Sequence, residues 1–282
     1  MKLVRYGPAG GEKPGLIDDD GQIRDLSGEI ADIAGENLAP AALDQLRSLD
    51  PESLPLVDSS PRLAPPIGGI GKIVGVGLNY ADHAAESGEA VPDEPILFAK
   101  QTTSLNDPNG DIVMPRGASQ VDWEAELAVV IGITARYVDE ADALSHVAGY
   151  CVANDVSERD FQSNRGGDWQ KGKSCDSFAP LGPWLVTADR VPDPQALRVH
   201  LEVNGESMQD SSTDQMIFCV AHLISYISFF MTLAAGDVII TGTPPGVGAG
   251  RTPPRFLQPG DVVTVDVEGL GEQRQVVVGP TG

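Results

Sequence analysis

Two carboxylates one residue apart, Glu124 and Glu126 in QVDWEAELAVVIG, are the first groups in this chain able to do chemistry. Side chains alternate along a strand, so both would share one face, roughly 6–7 Å apart. Beside the apolar run LAVVIG, two acidic groups pointing the same way are costly unless a cation or solvent compensates. Asp155 ends another apolar run, in CVANDVSERD. Three carboxylates with no His or Cys close by suit a hard ion, Mg²⁺ or Mn²⁺. The alternative is a solvated strand face, favoured by the abundance of Asp and Glu here. A second constellation is NYADHAAESG. Asn79 reads as an N-cap, Asp82 lies in the first turn, and Gly88 is a C-terminal stop. His83 and Glu86, three apart, share a helix face, so the carboxylate can orient the imidazole as a water-activating base. An exposed helix carrying an incidental pair remains the alternative. At about nine residues the helix is too short to be stable alone, so it is expected to order only when substrate docks.

Two strings imitate nucleotide sites. Gly75-Val76-Gly77 follows a strand-like run, but Tyr80 replaces the third glycine of a dinucleotide fingerprint. GDWQKGKS, 167–174, matches the phosphate-loop string in full. That device needs a strand before it and a long helix after it. Here ERDFQSNRG precedes it, and Pro180, Gly182 and Pro183 follow it closely. Asp168 and Asp176 would also repel phosphate, so nucleotide binding is set aside.

The elements that must position these groups are mostly strands. KIVGVGLN, EPILFAK, DIVMP, EAELAVVIG, HVAGYCVAND, PWLVTA, RVHLEVNG, DVIITG, DVVTVDV and QRQVVVG are β-rich runs. Helical stretches are few: Tyr80 to Ser87, Glu140 to Ala143 with its surroundings, and the apolar run Met216 to Ala235. Without steady strand–helix alternation, this argues for a mainly β, α+β core. KLVRYG and GLIDDDGQIRDLS read as strands around an Asp20-Gly21 turn, and Glu29 to Leu49 has weak helical periodicity. Proline and glycine mark a linker near Ser59 to Gly71. A small opening module, 1–68, and a main domain, 69–282, are therefore expected.

The composition narrows the function classes. With 19 Lys plus Arg against 41 Asp plus Glu, the net charge is −22. Such a chain repels phosphate backbones and anionic membranes, so neither nucleic acid nor membrane is an expected partner. Met216 to Ala235 is 20 residues without a formal charge. Its flanks are acidic and it contains His222, Ser225, Tyr226, Ser228 and Thr232, so a helix buried on most sides of a folded core is expected. Cys151, Cys175 and Cys219 form no paired framework, and the N-terminus lacks a secretory signal, which points to a reducing cytoplasm.

The ordered series GxNYADHAxE, FxK, DWExELAVVIG, NDxxxRDFQ, GKSxDxFxPLGP and GDVIITGTPPGVG resembles the fumarylacetoacetate hydrolase family, from about Lys72 to the C-terminus. The resemblance implies a mixed β-sandwich roll with a small N-terminal α+β module, a homodimer, and a Mg²⁺ or Mn²⁺ ion held by Glu124, Glu126 and Asp155. It implies a water-activating dyad of His83 and Glu86 on a lid, and an enolate-stabilising Lys173. It places Arg159 and Gln162 toward the substrate and gives the substrate carboxylate to Thr243. The stretches GGDWQKGKSCDSFAPLGPWL and SSTDQMIF look most like a branch acting on sugar-acid diketones. The implied reaction is hydrolysis of the C3–C4 bond of a 2,4-dioxo acid, such as 2,4-didehydro-3-deoxy-L-rhamnonate, to pyruvate and L-lactate. Acylpyruvate or fumarylpyruvate hydrolysis, oxaloacetate decarboxylation and ureidoglycolate lyase activity are the alternatives. The substrate is itself an anion, so a local cluster of cation, Lys173 and Arg159 must reverse the field of an acidic surface.

Overall fold

The computed structural model describes residues 1–57, 60–88 and 90–280. Ala125–Ile131 is buried at every position, because both faces of this strand are covered. Leu127, Val129 and Ile131 enter one apolar core, while Ala128 and Val130 enter a second core on the other face. Glu124 and Glu126 share the parity of Ala128 and Val130, which puts them on the second face at the strand's entry end. The antiparallel neighbour Val147–Asn154 is equally buried and pairs Asn154 with Ala125.

Among the described residues, eleven strands form the main sheet. Its path runs Ile23–Asp25, Lys13–Ile17, Lys2–Tyr6, Ala179–Thr187, Val147–Asn154, Ala125–Ile131, Val238–Ile240, Ile73–Gly77, Ile96–Lys100. Along this path only Val238–Ile240 beside Ile73–Gly77 is parallel; the other pairs are antiparallel. A five-stranded sheet of Glu206–Ser212, Arg198–Val203, Val262–Val267, Gly271–Val278 and Ile112–Val113 packs against it. The helices are short: α1 (Pro40–Arg47), α2 (Ala81–Ser87), α3 (Arg159–Asn164), α4 (Gln170–Lys173) and α5 (Val220–Phe230). The strand-dominated α+β architecture agrees with the sequence reading.

In the opening segment, Gly21 takes a φ of 78° in the expected turn, and the Glu29 to Leu49 stretch resolves into a short 3-10 turn and α1. Leu3 pairs with Leu185, so the first strands extend the main sheet. Ser59, at the start of the expected linker, lies outside the described residues.

Three expectations change. Glu206–Ser212 was not expected as a strand, because ESMQDSS is polar; its partner Arg198–Val203 holds it in the sheet. α3 and α4 were not expected either. Residues separated by glycines form them because Glu158 caps α3 at the Phe161 N–H, and Gly172 lets α4 lie close on α3. The apolar run from Met216 forms a helix only over Val220–Phe230, and just one stripe of it is buried. Phe229 and Phe230 are 65% and 59% exposed, so the expectation of burial on most sides is corrected. The chain leaves the helix at Met231 and bridges Leu233 to Ala135 instead. Among the described residues, no helix is long and apolar enough to cross a membrane.

Candidate functional site

The pairing of Ala125 with Asn154 sets the entry of one buried strand beside the exit of the next. The Asp155 N–H donates to the Glu124 carbonyl at 2.9 Å, which brings the two carboxylates together. Oxygens of Glu124, Glu126 and Asp155 lie within 4.8 Å of one another, and all three residues are buried. Two buried ammonium groups and the half-buried guanidinium of Arg159 approach this trio. Lys173 Nζ donates to Glu124 Oε2 (2.7 Å) and Asp155 Oδ2 (2.6 Å). Lys100 Nζ donates to Asp155 Oδ1 (2.5 Å) and to the Val156 carbonyl (3.2 Å). Arg159 donates to Glu124 Oε1 (2.6 Å), to Asp122 Oδ1 (2.7 Å) and to Gln162 Oε1 (3.2 Å).

Glu126 is left out of these ion pairs. Among the described residues its carboxylate accepts only the Gly242 N–H, at 2.7 Å. Burial, reinforced by the charges of Asp155 and Glu124, pushes its carboxyl well above the usual range. Glu124 is also buried, yet Lys173 and Arg159 outweigh that and hold it far below the usual range. Burial opposes the charge on Lys173, but Asp155 and Glu124 outweigh it and raise the ammonium above its ordinary value. Lys100 goes the other way, lowered chiefly by burial. The donor set is all oxygen, and Glu126 makes no ion pair among the described residues. A hard divalent ion fits both features.

The short helix α4 delivers Lys173, and an aromatic wall flanks it. Phe98 and Trp169 pack with ring centroids 5.7 Å apart, and the Lys173 ammonium lies 5.0 Å from the Phe98 ring centre. A Cβ on Gly75 would stand 2.2 Å from the Phe98 ring, and one on Gly77 would stand 2.6 Å from Trp169. The Gly-Val-Gly string thus makes room for aromatic rings, and the GKS lysine serves carboxylates. Neither belongs to a nucleotide site.

His83 and Glu86 meet as expected on α2, with Nδ1 and Oε2 3.1 Å apart. Glu86 also accepts the Gly246 N–H (3.0 Å), while the Gly246 carbonyl accepts the Trp123 indole N–H (3.1 Å). The helix is therefore seated on the loop after Val238–Ile240, beside the residue that precedes Glu124. Asp82 accepts the Ser211 hydroxyl (2.6 Å), and Gly88 ends the helix with a φ of 68°. The expected N-cap is corrected: Tyr80 occupies that position and makes no side-chain cap. Asn79 is buried one residue earlier. Its amide donates to the Thr241 (2.7 Å) and Phe218 (3.1 Å) carbonyls, and its oxygen accepts the Phe218 N–H (2.9 Å). Replacing Asn79 with Ala strands these buried groups. The expected loss is about 2–4 kcal/mol, read from urea unfolding.

Thr243 lies in the same loop. Its hydroxyl donates to the Ala125 carbonyl (2.9 Å) and accepts from Gln209 (2.8 Å). A carboxylate could take that hydroxyl only if it turned away from Ala125. Lys100, Asp122 and Gln209 were not singled out from sequence. Lys100 stood in the FxK string and Asp122 in VDWE, but nothing local indicated that they would meet Asp155 and Arg159. Asp122 holds Arg159 from behind while also accepting the Ala249 N–H (2.9 Å).

Comparison with known proteins agrees with this fold. A family model described as fumarylacetoacetate (FAA) hydrolase C-terminal matches residues 72–278. A Burkholderia lata protein, whose name assigns it no more than a hydrolase class, is 57% identical over 276 residues, 98% of each chain. The solved fumarylacetoacetate hydrolase of Exiguobacterium antarcticum is similar over 99% of both chains, with 36% identity and a TM-score of 0.86. Maleylpyruvate hydrolase from Sphingobium sp. SYK-6, solved with manganese(II) ion and pyruvate, covers 100% of both chains at 28% identity and a TM-score of 0.83.

Proposed function

Because this chain belongs to the fumarylacetoacetate hydrolase family, we propose that it hydrolyses the C3–C4 bond of a 2,4-dioxo acid and releases pyruvate. The observation that carries this reading is a buried oxygen trio beside the Lys173 ammonium, with Glu126 outside the ion pairs, together with a His–Glu pair on a helix seated at Gly246. Glu124, Glu126 and Asp155 would hold Mg²⁺ or Mn²⁺, which when bound supplies positive charge for the 2-oxo acid end.

The remaining steps fall to side chains. Glu86 holds His83 Nδ1, which leaves Nε2 free to take a proton from water. The water oxygen adds to the C4 carbonyl. The C3–C4 bond then breaks, its electron pair leaves with C3 as the enolate of pyruvate, and C4 becomes the carboxyl of the second product. Lys173 places its charge against the enolate, which is then protonated at C3. Arg159 and Gln162 line the approach, and Thr243 turns its hydroxyl to the substrate carboxylate.

The substrate we put first is 2,4-didehydro-3-deoxy-L-rhamnonate, which would yield pyruvate and L-lactate in L-rhamnose catabolism. The motif 166–185 supports that choice. A homodimer in the cytoplasm completes the reading. Free cysteines suit a reducing compartment, and the exposed cluster of Tyr137, Phe229, Phe230 and Met231 suits a self-association surface. Phe229→Glu is expected to shift the mass seen by light scattering from dimer to monomer; an unchanged dimer moves the interface elsewhere.

A substrate panel tests the reaction: the rhamnonate diketone, acylpyruvates and oxaloacetate, each assayed for pyruvate. Release from the diketone is expected, lost on chelation and restored by Mg²⁺. Release from oxaloacetate alone makes the enzyme a decarboxylase. Metal and oxalate binding with no pyruvate from any substrate removes the enzymatic reading.

A further inference from the structure

The strand that carries Glu126 changes partners just before it reaches the carboxylates. Ala128 still pairs with Ile240, and the Leu127 carbonyl still accepts the Thr241 N–H. Gly242, with a φ of 96°, then begins the loop that holds Thr243 and Gly246. Ala125, between Glu124 and Glu126, is met by side chains instead of a neighbouring strand. Its N–H donates to Gln209 Oε1 (2.9 Å), and its carbonyl accepts the Thr243 hydroxyl (2.9 Å). Gln209 Nε2 donates its two protons to Thr243 Oγ1 and to the Pro244 carbonyl, both at 2.8 Å. One amide thus clamps the strand of the metal-site carboxylates to the loop of Thr243. It is 1% exposed, and with all three contacts made it has a single orientation. Gln209 faces inward because the pairing with Arg198–Val203 slips by one residue beside it, leaving Met208 and Gln209 both buried. The same loop seats the base. The Gly246 N–H donates to Glu86, and a Cβ on Gly246 would stand 1.9 Å from the Met208 carbonyl, so the loop lies directly on the strand of Gln209.

We propose that Gln209 is the positioning residue for the substrate carboxylate and acts through Thr243. Its amide holds Thr243 Oγ1 in place as an acceptor, while the hydroxyl proton turns from the Ala125 carbonyl to a carboxylate oxygen of the 2-oxo acid. The inference rests on the function proposed above, in which Thr243 receives that carboxylate, and adds the residue that fixes it. A hydroxyl has one proton to give, so an anchor that donates to its oxygen leaves that proton free for the ligand. Donation to the oxygen also strengthens the hydroxyl as a donor in turn. Without the amide, the side chain of Thr243 can rotate its oxygen away. An amide that merely completed the edge of the sheet would act on stability and leave ligand affinity alone.

A double-mutant cycle on ligand affinity tests this. The probe is oxalate, a planar dianion shaped like the enolate of pyruvate, titrated calorimetrically onto Mn²⁺-loaded protein below the melting temperature of every variant. Gln209→Met keeps the length and removes the amide. Thr243→Val keeps the shape and removes the hydroxyl. Each alone is expected to weaken oxalate about tenfold. The two together should weaken it no further than Thr243→Val does. Affinity for Mn²⁺ alone should stay within twofold of wild type throughout. Losses that multiply overturn the proposal, because Gln209 then acts apart from Thr243. Oxalate affinity within twofold of wild type in either single variant overturns it as well. So does a parallel fall in Mn²⁺ affinity, which assigns the amide to the metal-site strand alone, and so does wild-type protein that binds no oxalate. If Gln209→Met does not fold, Gln209→Glu keeps an acceptor for Ala125 and gives Thr243 no proton. Its loss of oxalate affinity must be larger with Thr243 present than in the Thr243→Val background; equal losses reject the proposal. Wild-type protein that binds oxalate but releases no pyruvate sinks the proposed reaction alone, and the cycle still decides on Gln209.

Discussion

Replacing His83 with Ala is expected to lower kcat by about 10²–10⁴-fold while leaving divalent-ion binding intact. The magnitude is that of a positioned general base. The separation of effects follows from the geometry. His83 touches Glu86 and the helix, whereas the carboxylates are held by Lys173, Lys100, Arg159 and Gly242. Glu86→Gln should be milder on the base but harmful to the seating of α2, because Glu86 also receives the Gly246 N–H. Single-turnover rates of pyruvate formation, measured beside Mn²⁺ titrations, check both statements. A His83→Ala protein of near-normal rate, or one that has lost its metal, would remove His83 from the proposed role.

Replacing Glu126 with Gln is expected to have opposite effects with and without metal. The metal-free protein should gain about 1–3 kcal/mol, because a buried carboxylate with no cation becomes a neutral amide that still offers an oxygen to Gly242. Divalent-ion binding, the stabilisation it brings and pyruvate release should all be lost. Lys173→Met gives the reverse sign: Glu124 and Asp155 lose a shared partner, and the metal-free protein should lose about 3–5 kcal/mol. The pH dependence has a definite sign. Folding raises the Glu126 pKa, so the folded state holds this proton more tightly than the unfolded chain. Stability from that proton is present below the ordinary Glu pKa and is lost as pH rises through the raised folded value. The gap between the Gln variant and wild type should therefore open with rising pH and close in acid. Urea unfolding with chelator at several pH values measures it; a gap that widens in acid would falsify the assignment of Glu126 as the uncompensated carboxylate.

What could be read from sequence was set by residues close together along the chain. Period two put Glu124 and Glu126 on one face, period 3.6 put His83 beside Glu86, and a glycine marked where α2 stops. All depend on backbone geometry over a few residues, which composition and spacing reveal directly. The strand-dominated class was legible for the same reason, since β-branched runs report their own local preference. The polar strand Glu206–Ser212 was not, because its pairing with Arg198–Val203 supplies what its composition lacks. Asn79 looked like a cap for want of any local sign that Phe218 and Thr241 would lie beside it.

The amino-acid order by itself determined which acidic groups share a face, which imidazole has a carboxylate within reach, and that the chain would be mostly strands. Only the tertiary structure decided how those charges are matched. Lys100 reaches Asp155 across 55 residues, Arg159 reaches Glu124 across 35, and Gly242 reaches Glu126 across 116. These partners are chosen by sheet register and by which helix packs on which strand end. Such long-range contacts leave no periodic trace in the chain, and so Glu126 as the carboxylate outside the ion pairs, among the described residues, emerges only once it is folded.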